Sequence, residues 1–548
     1  MNVWKRVVLL LVPVALLVSE SVGATKNAAV LTTEPLRKFV KRFNADDEEL
    51  YPQAIKNSDA FTFLKDNIPL FSCPDKAIER TYYFRWWTYR KHIKQTPDGY
   101  IITEFLPDVP WSTKYNAITC PGTHHFREGR WLHDPKYLRD YAVFWVKHSG
   151  RHPNKRWRHV RSVLGHGFPL SDALLHLHHV HPSERLIREL LPELAANFEE
   201  LKKQRKTKIG LYWSNDGGWE GDGMEVAIGG PGVRPTINSY CYAQASALAQ
   251  FYAMQGDLER SSSYSKEAEF IASQIMELLW DADARFFKVM RKKDLPSRKL
   301  ADVRELLGYV PWYYSIPSKG KGYEEAWRQL MDPKGFYAPF GPTTAEQRHP
   351  GFRISYKGHE CQWNGPSWPY ATCQTLTALA NVLHNYDQNV IGRKAYFETL
   401  KIYTKCHQRK RKDGKVVPWI DENLNPYTGD WISRTRLKKW RNGTWHKGKG
   451  GKERGKDYNH SSYNDLIITG LVGLRPRSDD VVEVNPLLPD KTWDYFCLDN
   501  VLYHGRILTI IWDKTGNRYK KGQGLTLLVD GKKIDGSASL SKIAGRLK

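Results

Sequence analysis

Between about residues 135 and 405 the apolar positions recur with a helical period. Leu190, Leu194 and Phe198 fall at i, i+4 and i+8. Phe270, Ile271, Ile275, Leu278 and Leu279 form a second stripe, and Leu376, Leu379 and Leu383 a third. Each stripe gives way to a loop rich in Gly, Pro, Trp and acidic residues. Apolar helices joined by long polar-aromatic loops predict a helical barrel with its working site at one rim. Near residue 478 the period changes. Residues 501–504, 507–512 and 525–529 are short β-rich runs, Asp530-Gly531 is a hairpin signal, and Gly516-Asn517 marks a further turn. The pattern thus predicts a polar, irregular segment at 25–75 wrapping the body, a helical barrel over 76–477 and a small β domain over 478–548.

The totals narrow the class. A chain of 548 residues, 41% hydrophobic and 13% aromatic, is neither disordered nor collagen-like. Lys5 and Arg6 precede an apolar run at 7–18, and Val22-Gly23-Ala24 follows. This is the pattern of a secretory signal over 1–24, cleaved after Ala24; an N-terminal anchor is the other reading. The run is short for a bilayer span, so the expected protein is secreted or periplasmic and free of the membrane after cleavage. Seven scattered cysteines without a C-x-x-C pair predict neither a disulfide framework nor a zinc site. The net charge of +24 is concentrated: 401–456 holds 17 Lys/Arg against 5 Asp/Glu. Residues 409–412 and the Gly/Lys tract 447–456 read as solvated loop charges. They point to an anionic polysaccharide, or to no partner, rather than to nucleic acid.

Three segments carry the unusual chemistry. They are Tyr82-Tyr83-Phe84-Arg85-Trp86-Trp87, the 212–220 stretch ending in Trp219-Glu220, and Glu360-Cys361-Gln362-Trp363-Asn364-Gly365-Pro366-Ser367-Trp368. Aromatics beside amides and carboxylates offer faces for a sugar ring and polar groups for its hydroxyls; an aromatic core with satisfied indoles is the other reading. Glu220, Asp222 and Glu225 crowd three acids between glycines, which raises at least one pKa and suits a general acid. A second acidic, aromatic loop runs over 419–431, and glycoside cleavage needs two such carboxyls. His176, His178, His179 and His181 lack acidic partners at ligand spacing and are expected at a surface or cap. His124-His125, near Glu128 and Trp131, are candidate substrate contacts.

At these residues the chain resembles a family. Asp222-Gly223-Met224-Glu225, the run 234–240, Gln362 to Pro369 and Glu422 to Gly429 are similar to motifs of mannosylglycerate-hydrolase-like enzymes. Those are (α/α)6-barrel glycosidases related to glycoside hydrolase family 63, and the resemblance covers about 82–476. It implies a mainly α fold, an (α/α)6 six-hairpin barrel with a small C-terminal β-sandwich. It also implies an inverting glycoside hydrolase with no cofactor or catalytic metal, Asp222 as general acid and Glu422 as general base. Glu220 directly follows Trp219 and could take the acid's place. Trp219, Trp363 and Trp368 are expected to wall the pocket, with Glu220, Glu225, Arg234, Glu360, Gln362 and Asn364 contacting an oligosaccharide or polysaccharide, neutral or anionic. A non-catalytic glycan-binding protein on a degenerate barrel would keep the aromatics but not the carboxylates. A lyase or epimerase would depend instead on His124 or Tyr240.

Overall fold

The computed structural model describes residues 29–149, 162–217, 221–354, 361–439, 445 and 447–547. The expected signal segment, Trp219, Glu220 and Glu360 lie outside the described residues. The helices sort by burial pattern. Pro235–Met254 is buried on nearly every face, from Ile237 and Asn238 to Phe251 and Tyr252, and an apolar surface all round marks an inner helix. Leu258–Leu278 buries only Ala268, Ile271, Ile275 and Leu278, the single stripe of an outer one. Phe270, placed in that stripe by its spacing, is instead 43% exposed, its ring lying over Gly210.

The inner helices form a closed circuit. Gly122–Gly129 packs on Leu170–His178, that on Pro235–Met254, and that on Val310–Tyr313. Pro369–Asn385 follows, and the Tyr463–Asp465 turn, continued as Leu466–Leu471, returns the circuit to Gly122–Gly129. Pro235 and Pro369 sit at the first turns of their helices, where a missing N–H costs nothing. Both long loops that carry the motifs therefore end at the same kind of place, the N-terminus of an inner helix.

The segment before residue 76 is less irregular than its composition predicts. Glu34–Ala45 and Ala60–Asn67 are helices, and Leu70–Ser72 is a strand paired antiparallel to Tyr495–Tyr503. The aromatic run at 82–87 belongs to the Lys76–Lys91 helix and is buried throughout. The Tyr82 and Tyr83 hydroxyls donate to the carbonyls of Pro69 and Phe71, and the Trp87 indole donates to Asn44 Oδ1. These rings fasten the N-terminal segment to the body; they are core, not a sugar face.

The C-terminal strands form two sheets. One runs Leu70–Ser72, Tyr495–Tyr503, Arg506–Asp513, Gly524–Val529, Lys532–Ser537, and the other joins Leu474–Arg475, Val481–Val484 and Ile543–Arg546. Asp530 and Gly531 both have positive φ and close the predicted hairpin between Val529 and Lys532, as a two-residue type I′ turn requires. His504-Gly505 does the same between Tyr503 and Arg506. Ile510 and Trp512 join the main core, while Ile511 faces the other way with Cys497 and Leu528 under Val30 and Leu31. Asp499 fastens that cover: its Oδ2 accepts from the N–H groups of Val30 and Leu31, and its Oδ1 from Thr509 Oγ1. Asp499→Ala strands these donors and should lower stability by about 2–4 kcal/mol in urea unfolding, with residues 29–45 becoming the first site of limited proteolysis. Unchanged stability would show that the cover holds by apolar contact alone.

Candidate active site

Three loops meet through backbone pairing centred on residues 361–368. The Trp363 N–H donates to the Glu225 carbonyl at 3.2 Å, which ties this segment to the Asp222 loop. Ser367 and Leu424 exchange both backbone hydrogen bonds at 3.0 Å, which ties it to the Glu422 loop. Gly365 is obligatory in this arrangement, because a Cβ there would stand 2.3 Å from the Arg353 carbonyl oxygen. Trp363 and Trp368 stack on each other with ring centres 4.4 Å apart and are each only 2% exposed. The Trp368 indole donates to the Gln362 carbonyl at 2.7 Å. Two tryptophans expected to wall a pocket are thus packed face to face, brace the segment, and expose little surface.

Asp222 is buried. Arg234 Nε and Thr236 Oγ1 donate to its Oδ2 at 2.6 and 2.5 Å, while Oδ1 has no partner among the described residues. Burial pushes its pKa up, against the opposing pull of Arg234 and Thr236. Arg234 does not reach outward as expected for a substrate contact. It is 1% exposed, and its other nitrogens go to the Gly230 carbonyl at 2.7 Å and Glu305 Oε2 at 3.4 Å. Glu305, itself pushed up by burial, shares this one cation with Asp222. Val226, two residues past Met224, has φ +63, a strained setting for a β-branched residue beside a working loop.

Glu422 is 1% exposed, and Arg454 donates to its Oε1 from within the Gly/Lys tract. Cys361 Sγ lies 3.9 Å from Oε2. The Arg454 guanidinium is 5.2 Å from the Phe105 ring and 5.0 Å from that of Trp111, which is 40% exposed. Lys456 pairs with Asp47, and Arg434 with Glu453. The tract is therefore not a solvated run of loop charges: a Gly/Lys composition reads as floppy, yet here one arginine reaches a buried carboxylate. Asp421, beside Glu422, accepts from the Glu422 N–H at 2.8 Å and from Ser433 Oγ at 3.0 Å. Burial, then the neighbouring Glu422, raises its pKa from 3.8 to about 7.

Glu104 joins these carboxylates. Glu104 Oε1 accepts from the Tyr458 hydroxyl at 2.5 Å and lies 3.1 Å from His460 Nε2. Burial raises its pKa, but His460 and Tyr458 outweigh it and the net shift is downward. His460 packs on Tyr458 and Tyr370, Tyr370 on His124 and Trp363. The fields of Glu104, Glu225 and Asp222 all act on Cys120, and those of Glu104 and Glu422 on Tyr458, so the carboxylates belong to one neighbourhood. Around it, Asp222 Oδ1, Gln362 Nε2, Trp363 Nε1, Asn364 Oδ1, His124 Nδ1 and His460 Nδ1 are buried without partners among the described residues. Buried polar atoms are seldom left so; a cluster of them is what a polyhydroxylated ligand would satisfy.

Residues 114–461 match the family described as "Mannosylglycerate hydrolase MGH1-like glycoside hydrolase domain". The chain belongs to the MGH1-like glycoside hydrolase family. Residues 474–535 also match "Glycosyl hydrolase family 65, C-terminal domain", over the strand region. A solved structure titled "Sialidase" is 40% identical over 94% of this chain with a TM-score of 0.84, and this chain spans 45% of that one. The GH78 family rhamnosidase of Bacillus sp. GL1 is 11% identical with a TM-score of 0.51, over 81% of this chain and 40% of its own. The α-L-rhamnosidase of Aspergillus terreus is 10% identical with a TM-score of 0.50, over 88% and 50%. Those two likenesses are of fold alone.

The remaining sequence candidates fall elsewhere. His125 bonds the Asn459 carbonyl, and Glu128 accepts from the N–H of Asn464. Both hold the circuit closed. His176 does have an acidic neighbour, Asp172 one turn earlier at 3.4 Å, and His178 accepts from the Ser183 N–H. Glu104, Asp421, Arg454 and His460 were not singled out from sequence. The one signal for Arg454 was its setting: Gly450 and Gly451, both at positive φ, and Gly455, where a Cβ would meet Asp421 Oδ1 at 1.9 Å.

Asp421 gives a pH test. Between pH 3.8 and about 7 the folded protein keeps a proton that the unfolded chain releases. Its contribution to stability is full below pH 4 and lost as pH rises through 7. Wild type should therefore lose on the order of 4 kcal/mol relative to Asp421→Asn between pH 4 and 7.5 in urea unfolding. Parallel pH profiles would place Asp421 in a wetter setting.

Proposed function

We propose that this chain hydrolyses a glycosidic bond of an oligosaccharide with inversion, Asp222 acting as general acid and Glu422 as general base. The observation that carries this is the pairing of both carboxyl loops to one backbone segment, with unsatisfied polar atoms gathered around it. Asp222 has one oxygen committed to Arg234 and Thr236 and one oxygen free of described partners. A carboxyl whose pKa burial has raised can carry a proton on that free oxygen and deliver it to a leaving glycosidic oxygen. Glu422, oriented by Arg454, then takes a proton from water on the opposite face of the sugar. The closed helix circuit with its two C-terminal sheets is read as the (α/α)6 barrel and β-sandwich of this family. The basic, apolar and small-residue pattern of residues 1–24 supports export. The relative titled "Sialidase" is a longer protein of which this chain spans 45%, so the sugar here rests on the site's own chemistry.

The lyase or epimerase reading loses its candidates. His124 Nε2 lies 3.1 Å from the Tyr370 carbonyl, and burial lowers the ring's pKa to about 3. Tyr240 is bonded to Tyr370 and Gln374, and burial pushes its hydroxyl upward, away from proton exchange near neutrality.

The assignments separate in turnover on a panel of natural oligosaccharides. Glu422→Gln should reduce kcat by about 10²–10⁴ with the fold intact. Asp222→Asn should be more damaging than Glu225→Gln or Glu220→Gln; a dead Glu220→Gln with an active Asp222→Asn would move the acid two residues upstream. Deleting 447–456 should abolish turnover, because it removes Arg454 along with the charge. Arg454→Met should cost at least about tenfold in kcat. Full activity after the deletion would separate the tract from the site.

A further inference from the structure

A second cavity, of about 280 Å³, lies at the other end of the helix circuit. The motif loops enter Pro235–Met254 and Pro369–Asn385 at their first turns, whereas this cavity is lined from 242–250 and 377–385 of the same helices. At about 1.5 Å per residue the cavity lies roughly 10–24 Å along the helices from their first turns. Among the described residues, none of the motif loops lines it.

Three guanidiniums face this cavity, those of Arg127, Arg130 and Arg475. Arg130 is paired with Asp465 at 2.6 Å. Arg127, 8% exposed, has no carboxylate within 4 Å among the described residues, and neither has Arg475, which donates to Asn381 Oδ1 at 3.4 Å. The cavity's own acid, Asp172, stands 3.4 Å from His176 Nε2. That nitrogen also lies 2.5 Å from Arg127 Nη2, and His176 Nδ1 lies 3.5 Å from Arg130 Nη1. Burial, then Arg127, lowers the His176 pKa to about 4, so the ring is neutral and has one lone pair to offer two guanidiniums. Arg127 Nε and the Tyr314 hydroxyl have no partner among the described residues. Among the described residues none of the three guanidiniums donates to a backbone carbonyl, so helix C-termini do not absorb these donors. Asp172 and Asp465 oppose these three guanidiniums; Glu483, across from Arg475 on the paired strand, is itself paired with Arg477 and Lys542, so a positive charge is left over, and buried donors without acceptors are costly.

We propose that this cavity binds a small oxygen-bearing anion, a phosphate, sulfate or carboxylate, held by Arg127, Arg475 and the Tyr314 hydroxyl. Arginine forks match the oxygens of such anions in pairs, and one negative charge balances the excess. The site stands apart from the proposed hydrolysis and would be present in an inactive variant.

Thermal unfolding of the full chain tests it, with sodium phosphate, sulfate or acetate titrated against sodium chloride at constant ionic strength. Wild type should show a rise that follows the logarithm of anion concentration above Kd and reaches about 2 °C at a hundredfold excess. Arg475→Gln should lose the rise, and Tyr314→Phe, which removes one hydroxyl and leaves the packing, should weaken it. A response to phosphate and sulfate alone identifies a tetrahedral ligand, and a response to acetate a carboxylate. Sulfate also stabilises proteins generally by exclusion. A rise that is linear in concentration and equal in wild type and Tyr314→Phe, as exclusion gives, or no rise with any anion, overturns the proposal. Should Arg475→Gln fail to fold, the Tyr314→Phe comparison decides.

Discussion

The backbone pairing at residues 361–368 is the constraint on which the site depends. The Trp363 N–H holds the Glu225 carbonyl, and Ser367 pairs with Leu424. Asp222 and Glu422 are separated by 200 positions in the sequence, and each sits on a different loop. Fixing both loops to one strut brings two distant positions into one geometry. The strut is stiffened by the stacked Trp363 and Trp368 rings and by the close approach at Gly365, which admits no side chain. It runs directly into the buried Pro369–Asn385 helix, so the site inherits the rigidity of the core.

Burying carboxylates is costly unless cations or hydrogen bonds accompany them, and each acid here has such company. Arg234 is shared between Asp222 and Glu305, Arg454 reaches Glu422, and His460 with Tyr458 holds Glu104. Sharing one guanidinium between two acids leaves burial as the larger influence on Asp222, and its pKa moves up. Two carboxyls in differently furnished settings are what acid and base roles require.

The helical stripes and β runs were legible because burial imposes their periods. Leu190, Leu194, Phe198, Leu376 and Leu379 are all in the core, and the Asp530-Gly531 turn follows from backbone sterics alone. Phe270 was misplaced because spacing cannot tell a core face from a ring laid over a glycine. The motif loops stood out through their Trp and Gly content, yet composition misjudged what the rings do: Tyr82, Tyr83 and Trp87 fasten the N-terminal segment, and Trp363 and Trp368 brace each other. Arg454, Glu104 and His460 were hidden for a different reason. Their importance comes from contacts more than thirty residues away in sequence, such as Arg454 to Glu422 and Glu104 to His460, and nothing beside them in the chain records those contacts. A charged Gly/Lys stretch reads as solvated until something shows what it touches.

The central claim is that the strut holds Asp222 and Glu422 far enough apart for a water to enter between carboxylate and sugar. Inverting sites separate their carboxyls by about 6.5–9.5 Å, and retaining sites by about 5–5.5 Å. Proton NMR of the sugar released in the first moments of turnover, before mutarotation, tests this most directly. The account predicts the anomer opposite to that of the substrate. Release of the same anomer, or a glycosyl adduct trapped on Glu422, would contradict it.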